Sequence, residues 1–565
     1  MALPEKKISV GIDLGTTYCS IGYFDEITNS PVVVSVNNLC SVPSWVNYSQ
    51  IDKGNLLVGI SAKDDTNENM AIFDVKRLIG RPVSDVIKDT TKIFPFTIVD
   101  YPGTNSCGIQ ITDPRTDKPK TFLPEQISAL VLKYLYSIVQ DNLVTKEIER
   151  VVIGTPSDFG PHQIQATKNA ATLAGIEVPV FTLQEPSCAV LEYLREAKIQ
   201  DLDNKVFAVV DFGGGTLDVA FCRIINGKID VFNCGGDQNI GGNDFDLVMI
   251  EILKQKIEEI AQDEGLGVFF DKTSCQLTTI GMMKKARRVK LRKLAESVKI
   301  QLTTKKCVEI ELGNYFNEIK TEDTLNIDRD TFYQNEKFKT ILDNAMEVIN
   351  KFVKSSGTKP NQIEKVLLTG GTCLMPPVRD AIINIFDKNN SKNKVLCFGG
   401  NGNFDPLTMV CKGASYYSFM QNDTVSLETK IESAPYSLGF EVSESLIDVF
   451  LAQDEKIPKE FVKKYIVNPQ VSKFKLCVYK GPKEVLVYST AAGVKFVTSM
   501  SVEIPPQPKR QKIVVKGIVD EECLLHFEVS IEGSPDKPFE VQLSMVKTSA
   551  MIERLKKDIS DFFYS

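Results

Sequence analysis

The chain has 565 residues, 43% hydrophobic and 25% charged, with a formal net charge of −7. That length exceeds what one hydrophobic core holds and predicts two or more domains of ordinary globular composition. The acidic balance excludes a protein that holds DNA through overall positive charge.

Thirteen cysteines stand singly, with no CxxC pair, which reads as reduced thiols and a cytoplasmic setting. Met1–Ser9 is too short and charged for a signal peptide. No apolar run reaches the roughly 18 residues of a membrane span, and Asp561–Ser565 carries no retention signal.

In chain order, the first candidate is Ile12-Asp13-Leu14-Gly15-Thr16-Thr17-Tyr18. Here an apolar strand ends in a turn with one carboxylate and two hydroxyls. Trp45, after Val42-Pro43-Ser44, reads as a packing residue. Short β-branched runs at Val151–Ile153, Phe207–Val210 and Val366–Leu368 read as strands, each closed by a Gly- or Pro-bearing turn. The second of them leads into Asp211-Phe212-Gly213-Gly214-Gly215-Thr216, an echo of the first turn. Two such turns about two hundred residues apart predict two related lobes facing a cleft.

Lys284 to Lys293 holds seven basic residues in ten. It reads either as a solvated helix face or as an RNA or import contact, and the solvated face is the simpler reading. After Pro377, Val378, Ile382, Ile385 and Phe386 fall on one helix face. Up to about residue 420 the alternation of strands and helices indicates an α/β architecture.

Gln421–Ser433 is polar and acidic and reads as a linker. Beyond Pro435 the runs Lys473–Tyr479, Glu484–Tyr488, Lys512–Lys516, Leu524–Ile531 and Phe539–Met545 predict an antiparallel β domain. In the tail, Ile552, Leu555, Ile559 and Phe563 have helical spacing, enough for one short helix. The only histidines, His162 and His526, are too few for a histidine metal site.

A phosphate chain needs close backbone N–H donors, and glycines permit the approach. Both turns have that composition, although either alone is also what a tight strand-ending turn looks like. No GxxxxGK[ST] occurs, so a P-loop is excluded. Three further segments complete a set: Phe73-Asp74-Val75-Lys76-Arg77-Leu78-Ile79-Gly80, then Gln165-Ala166-Thr167-Lys168 through Ala174-Gly175 to Glu185-Pro186, then Leu368-Thr369-Gly370-Gly371-Thr372. In order and spacing, these five motifs resemble the seventy-kilodalton heat-shock family over nearly the whole chain.

The resemblance implies an α/β actin-like ATPase of two RNase H-like lobes over 1–420 and a linker over 421–433. It implies an all-β sandwich that binds peptide over 434–547 and a short helical remnant of the family's lid over 548–565. It implies ATP or ADP and Mg²⁺ as cofactors. Asp13 and Asp211 would hold the metal through water, and Lys76, Glu185, Asp211 and Thr216 would act at the γ-phosphate, with Asp218 completing the acidic ring. Gly15, Thr16, Thr17, Tyr18, Gly213, Gly214 and Gly215 would bind phosphate. Glu296, Lys299 and Thr303 would hold ribose and base, with Gly370, Gly371 and Thr372 opposite. Phe440, Ser443 and Phe474 fall where peptide-contacting residues lie, and both phenylalanines also read as plain sandwich core.

Five features depart from the family pattern. Ile300 and Leu374 stand where arginines stack on adenine, and Phe181 where an arginine receives a J-domain partner. The hydrophobic linker shrinks to Val425-Ser426-Leu427-Glu428, and the lid to Ser549–Ser565. The expected function is an ATP-dependent chaperone with slow hydrolysis and weak coupling between nucleotide and peptide. The alternative is a lidless, ribosome-associated, Ssz-like regulatory co-chaperone with slow or no hydrolysis. Implied partners are unfolded or nascent polypeptide, with a J-domain protein, an exchange factor and the ribosome as further candidates. No membrane or DNA partner is implied.

Overall fold

The computed structural model describes residues 6–564 except 66, 68–69, 91–93, 95, 103, 105, 144–145, 198–202, 226–227, 238, 267–284, 317, 320–323, 388–393, 397–403, 421–433, 435, 444, 454, 482, 484, 492–493, 521–524, 534–538 and 542–548. The linker over 421–433 therefore lies outside the described residues.

Two mixed sheets repeat one pattern. In the first, Lys6–Asp13 runs antiparallel to Tyr18–Asp25 and parallel to Lys146–Thr155. Ser30–Val33 and Val180–Gln184 close its two edges. In the second, Val206–Phe212 runs antiparallel to Leu217–Ile225 and parallel to Ile363–Thr369. Lys228–Asp237 and Val395–Leu396 form its edges. Both motif turns thus leave the C-terminal end of a central strand. Such strands are covered on both faces, which is why they read as continuous apolar runs. All three runs predicted in the first 420 residues lie inside observed strands.

Each lobe has its own core, and a third cluster joins them beneath the cleft. That third cluster is built on the helices Glu185–Ala197 and Met409–Met420. They approach closely because Gly413 carries no side chain: a Cβ there would lie 1.9 Å from the Cys188 carbonyl oxygen. The helix predicted after Pro377 spans Pro376–Phe386 and buries Val378, Ile382 and Phe386.

The C-terminal part holds two four-stranded antiparallel sheets. One runs Leu446–Leu451, Ser437–Ser443, Lys473–Gly481, Lys495–Glu503, and the other Lys459–Val467, Gln511–Val519, Leu525–Ile531, Phe539–Val541. They share one core, in which Phe440 lies 6.1 Å from Phe461 and 5.4 Å from Phe527 across the layer. Glu484 lies outside the described residues, and the rest of the predicted run Glu484–Tyr488 is not a strand. Val485–Val487 turns instead, burying Leu486 and exposing Val487 and Tyr488, and only Tyr488 bridges to Leu446.

The terminal helix Ser549–Phe563 forms where its apolar spacing predicts, but it covers neither sheet of the sandwich. Leu555, Ile559, Phe562 and Phe563 are buried in the core of the first lobe. Phe562 and Phe563 lie 5.0 and 5.1 Å from Phe122. Gln126 donates to the Leu555 carbonyl at 3.1 Å and Arg115 to the Phe562 carbonyl at 3.1 Å. The sandwich meets the first lobe as well: Ile79, Phe159, Ile164 and Ala166 belong to the sandwich core cluster. The two parts therefore touch directly, through contacts that the composition of the linker does not reveal. Among the described residues, no helix is long and apolar enough to cross a membrane.

Candidate active site

The two glycine turns meet face to face. A Cβ on Gly214 would lie 2.1 Å from Thr17 Oγ1, and one on Gly215 would lie 2.8 Å from Arg77 Nε, so any larger residue would displace Thr17 or Arg77. The Gly213 N–H is spent closing its own turn on the Thr216 carbonyl. Thr372 donates to the Gly213 carbonyl at 2.8 Å, so Thr372 holds the turn in place. Gly370 makes the bend at a φ of 81°, with its Cβ position 2.4 Å from the Phe212 carbonyl oxygen.

Lys76 is delivered by an unusual backbone. Asp74 sits in the left-handed region at a φ of 56° and starts the short turn Val75–Arg77. That conformation is costly for a residue with a Cβ and persists where surroundings hold it. Here Asn243 of the second lobe donates to Asp74 at 3.0 Å, and the Arg292 guanidinium lies 3.6 Å away. Arg292 also lies 4.4 Å over the Phe73 ring, whose centroid is 4.2 Å from that of Trp45. Trp45 is thus a packing residue, as its sequence context indicates. The basic run is not simply a solvated face, because Arg292 is turned into the contact between lobes. Lys284 to Val289 offer no described side chains.

Lys76 Nζ donates to Glu185 Oε1 at 2.6 Å, and both side chains are nearly buried. Glu185 opens its helix, where the positive end of the helix dipole favours a carboxylate. Burial, with Glu185 and Asp211 nearby, pushes the Asp13 carboxyl far above the usual range, and Lys76 only partly offsets this. Burial and Glu185 raise Asp211 in the same way. Asp218 is raised too, by burial and then by Asp158 and Asp211, although Thr216 donates to it at 3.0 Å.

A set of carboxylates buried at this cost fits a cation. Among the described residues, no three His, Cys, Asp or Glu side chains are grouped closely enough to hold a metal by themselves. A hard cation would therefore need further oxygens, such as those of a phosphate chain. Thr17 Oγ1 is buried with no hydrogen-bond partner among the described residues. An orphaned hydroxyl beside glycine turns fits a phosphate oxygen.

The raised carboxyls set a pH dependence. Their folded pKa values exceed the unfolded ones, so the folded chain binds more protons and loses stability as pH rises through the range between them. Mg²⁺ must displace those protons, so Mg·ATP affinity should rise as pH rises through about 7 and about 8. Asp13→Asn should leave the ligand-free protein at least as stable as wild type yet weaken Mg·ATP binding. Calorimetric titration at several pH values measures both, and a pH-independent affinity shared by wild type and variant would refute this metal assignment.

The helix Lys285–Leu302 brings in the other end of the cleft. Tyr18 donates to Glu296 at 2.9 Å, and Lys63 pairs with Glu296 at 2.7 Å, so Glu296 ties the lobes together. The Tyr18 side chain is thereby engaged at this end and not at the phosphate turn. Lys299 pairs with Asp246 at 2.7 Å, and Thr303 donates to the Ile300 carbonyl at 2.6 Å. Ile300 is half exposed and Leu374 half buried. Replacing both with arginine should raise ATP affinity by about 1–3 kcal/mol if both guanidinium groups stack on the base. Isothermal titration checks it; a lower affinity would mean that the aliphatic pair packs the cleft as it stands.

The structure brings together Asp13, Lys76, Glu185, Asp211 and Thr216 with both phosphate turns. The peptide residues fare differently. Phe440 is fully buried between the sheets, 4.6 Å from Phe450. It is core and not a cleft wall, because its strand alternation points it inward. Phe474 is half buried at the edge of that core, and Ser443 is exposed. Phe181 is exposed on the edge strand Val180–Gln184. Arg77, Asp158, Lys63 and Asn243 also shape the site. Arg77 lies next to Lys76 within its motif, where the resemblance gives it no role, whereas Asp158, Lys63 and Asn243 reach the site from segments that no local pattern marks.

A family model described as Hsp70 protein matches residues 9–563. A heat shock cognate HSP70 protein from Trypanosoma brucei brucei is 28% identical over 558 residues, covering 97% of this chain and 77% of that protein. With the motif order, the two matched lobes and the β domain, these matches lead to one conclusion: the chain belongs to the Hsp70 family.

Proposed function

We propose that this chain is an ATP-hydrolysing chaperone that binds Mg·ATP between its lobes and extended polypeptide at its β domain. Members of the family are ATPases that bind unfolded polypeptide. The observation that carries the reading is the buried Lys76–Glu185 pair set beside Asp13 and Asp211 where the two glycine turns meet. A bound Mg²⁺ would neutralise phosphate charge and orient the reacting groups. The chain's own part is to present Asp13 and Asp211, which would give up their protons to that cation, to keep Lys76 at the γ-phosphate end and to exclude water by closing the lobes. Positioning and preorganised charge supply most of the acceleration in such a site. Single-turnover hydrolysis in the presence of Mg²⁺ tests it.

A second reading, a regulatory co-chaperone with little or no turnover, draws on Phe181 and on the terminal helix. That helix is committed to the first lobe, so nothing among the described residues covers the sandwich as a lid. Peptide would then exchange quickly, since differences among related complexes lie mostly in the off-rate.

The sandwich separates contact residues from core residues. Phe474→Ala should weaken binding of a fluorescent apolar peptide while leaving the β domain folded. Phe440→Ala should instead cost about 3–5 kcal/mol of domain stability, the usual range for a buried phenylalanine. Peptide titration alongside thermal unfolding separates the two; equal stability losses would place Phe474 in the core as well.

A further inference from the structure

One loop of the first lobe looks two ways. Pro156, Asp158 and Phe159 line a small cavity together with Lys76, Glu185, Thr216 and Asp218. Three successive carbonyls of the same loop are each held by a different side chain. Cys234 of the second lobe donates to the Ser157 carbonyl at 3.9 Å. Lys480 donates to the Asp158 carbonyl at 2.7 Å, and Tyr436 to the Phe159 carbonyl at 3.2 Å. Lys480 and Tyr436 both belong to the β domain, and the lysine ammonium lies 4.8 Å over the tyrosine ring. Gly160 leaves room for this approach: a Cβ there would fall 3.2 Å from Lys480 Nζ and 3.5 Å from its Cδ.

We propose that Asp158 is a further acidic group of the nucleotide site and that Lys480, with Tyr436, is the positioning residue that sets it there. This rests on the ATPase reading above. Hydrogen bonds to consecutive carbonyls fix a loop more tightly than a single contact does, and misplacing a site group by about 1 Å can cost up to 10²-fold in rate. The charge of Asp158 is felt inside the site, because it helps raise Asp218. The β domain thereby reaches the phosphate end of the cleft through Lys480 and Tyr436, without the linker.

The test compares single-turnover hydrolysis by the full chain with that of Lys480→Ala, Lys480→Arg, Asp158→Asn and the double variant Lys480→Ala/Asp158→Asn. Lys480→Ala should lower the maximal rate at least about tenfold with half-saturating ATP unchanged, and arginine should restore most of it. The double variant should be no slower than the slower single one, since both act on one group. An unchanged rate, a purely ATP-affinity effect or a fully additive loss would overturn the proposal. Hydrogen exchange of residues 157–160 is read in parallel. Mg·ATP should protect this loop in wild type and not in Lys480→Ala. If wild type binds ATP without hydrolysing it, the ATPase reading fails, and the exchange result alone decides: equal protection in both proteins overturns the role of Lys480.

Discussion

Replacing Lys76 with alanine should cut ATP turnover by at least about 10²-fold, the usual scale for losing a positioned group at a reacting centre. Among the described residues, Lys76 is the cation that offsets burial at both Asp13 and Asp211. Its own pKa is raised by Glu185 and Asp13 against the effect of burial, so it stays protonated across the whole working range. Removing it leaves Glu185 buried beside two other carboxylates without a counter-charge. Those carboxyls should then hold their protons more firmly, and the ligand-free protein should lose stability, since breaking one side of a buried pair costs about 3–5 kcal/mol. Glu185→Gln in the Lys76→Ala background should recover much of that stability and none of the turnover. Rapid-quench hydrolysis and thermal unfolding separate the two effects. Full turnover in Lys76→Ala would remove this lysine from the chemistry.

The other large effect concerns the terminal helix. Leu555, Ile559, Phe562 and Phe563 fill the first lobe alongside Tyr48 and Phe122. Phe562→Ala should destabilise that lobe by about 3–5 kcal/mol, because the ring is buried and the Arg115 guanidinium lies 5.3 Å over it. Removing Ser549–Ser565 should be more damaging, exposing an apolar face and leaving Gln126 without the Leu555 carbonyl. Hydrogen exchange should show the loss in the first lobe and not in the sandwich. A helix that served as a peptide lid would give the opposite map, with the sandwich loosened and the lobe untouched.

Sequence made some of this legible and hid the rest for physical reasons. The strands that carry Asp13 and Asp211 are readable because doubly covered strands are apolar almost throughout, and glycine turns mark where they stop. The helix Pro376–Phe386 is readable from its apolar face and its starting prolines. An amphipathic face says that the terminal helix packs, but not against what, so its partner came only with the fold. Phe440 and Phe474 read alike in sequence, since period two distinguishes faces and not depth. Lys459–Val467 is hard to read as a strand because Lys463 shares the inward face with Phe461 and Tyr465, reaching Asp448 at 2.6 Å, while Val462 and Ile466 are exposed, which blurs the expected alternation. Asp158 and Arg77 act through contacts with residues far away in the chain, such as the Arg77 bond to the Gly215 carbonyl.

Single-turnover hydrolysis of ATP by the full chain, with and without Mg²⁺ and a short apolar peptide, tests the central claim most directly. The account predicts product above buffer that requires Mg²⁺ and is lost in Lys76→Ala, with the peptide changing the rate by less than about tenfold, or roughly 1.4 kcal/mol of barrier. ATP that binds tightly and is recovered intact from the wild-type protein would contradict it and leave the regulatory reading in its place.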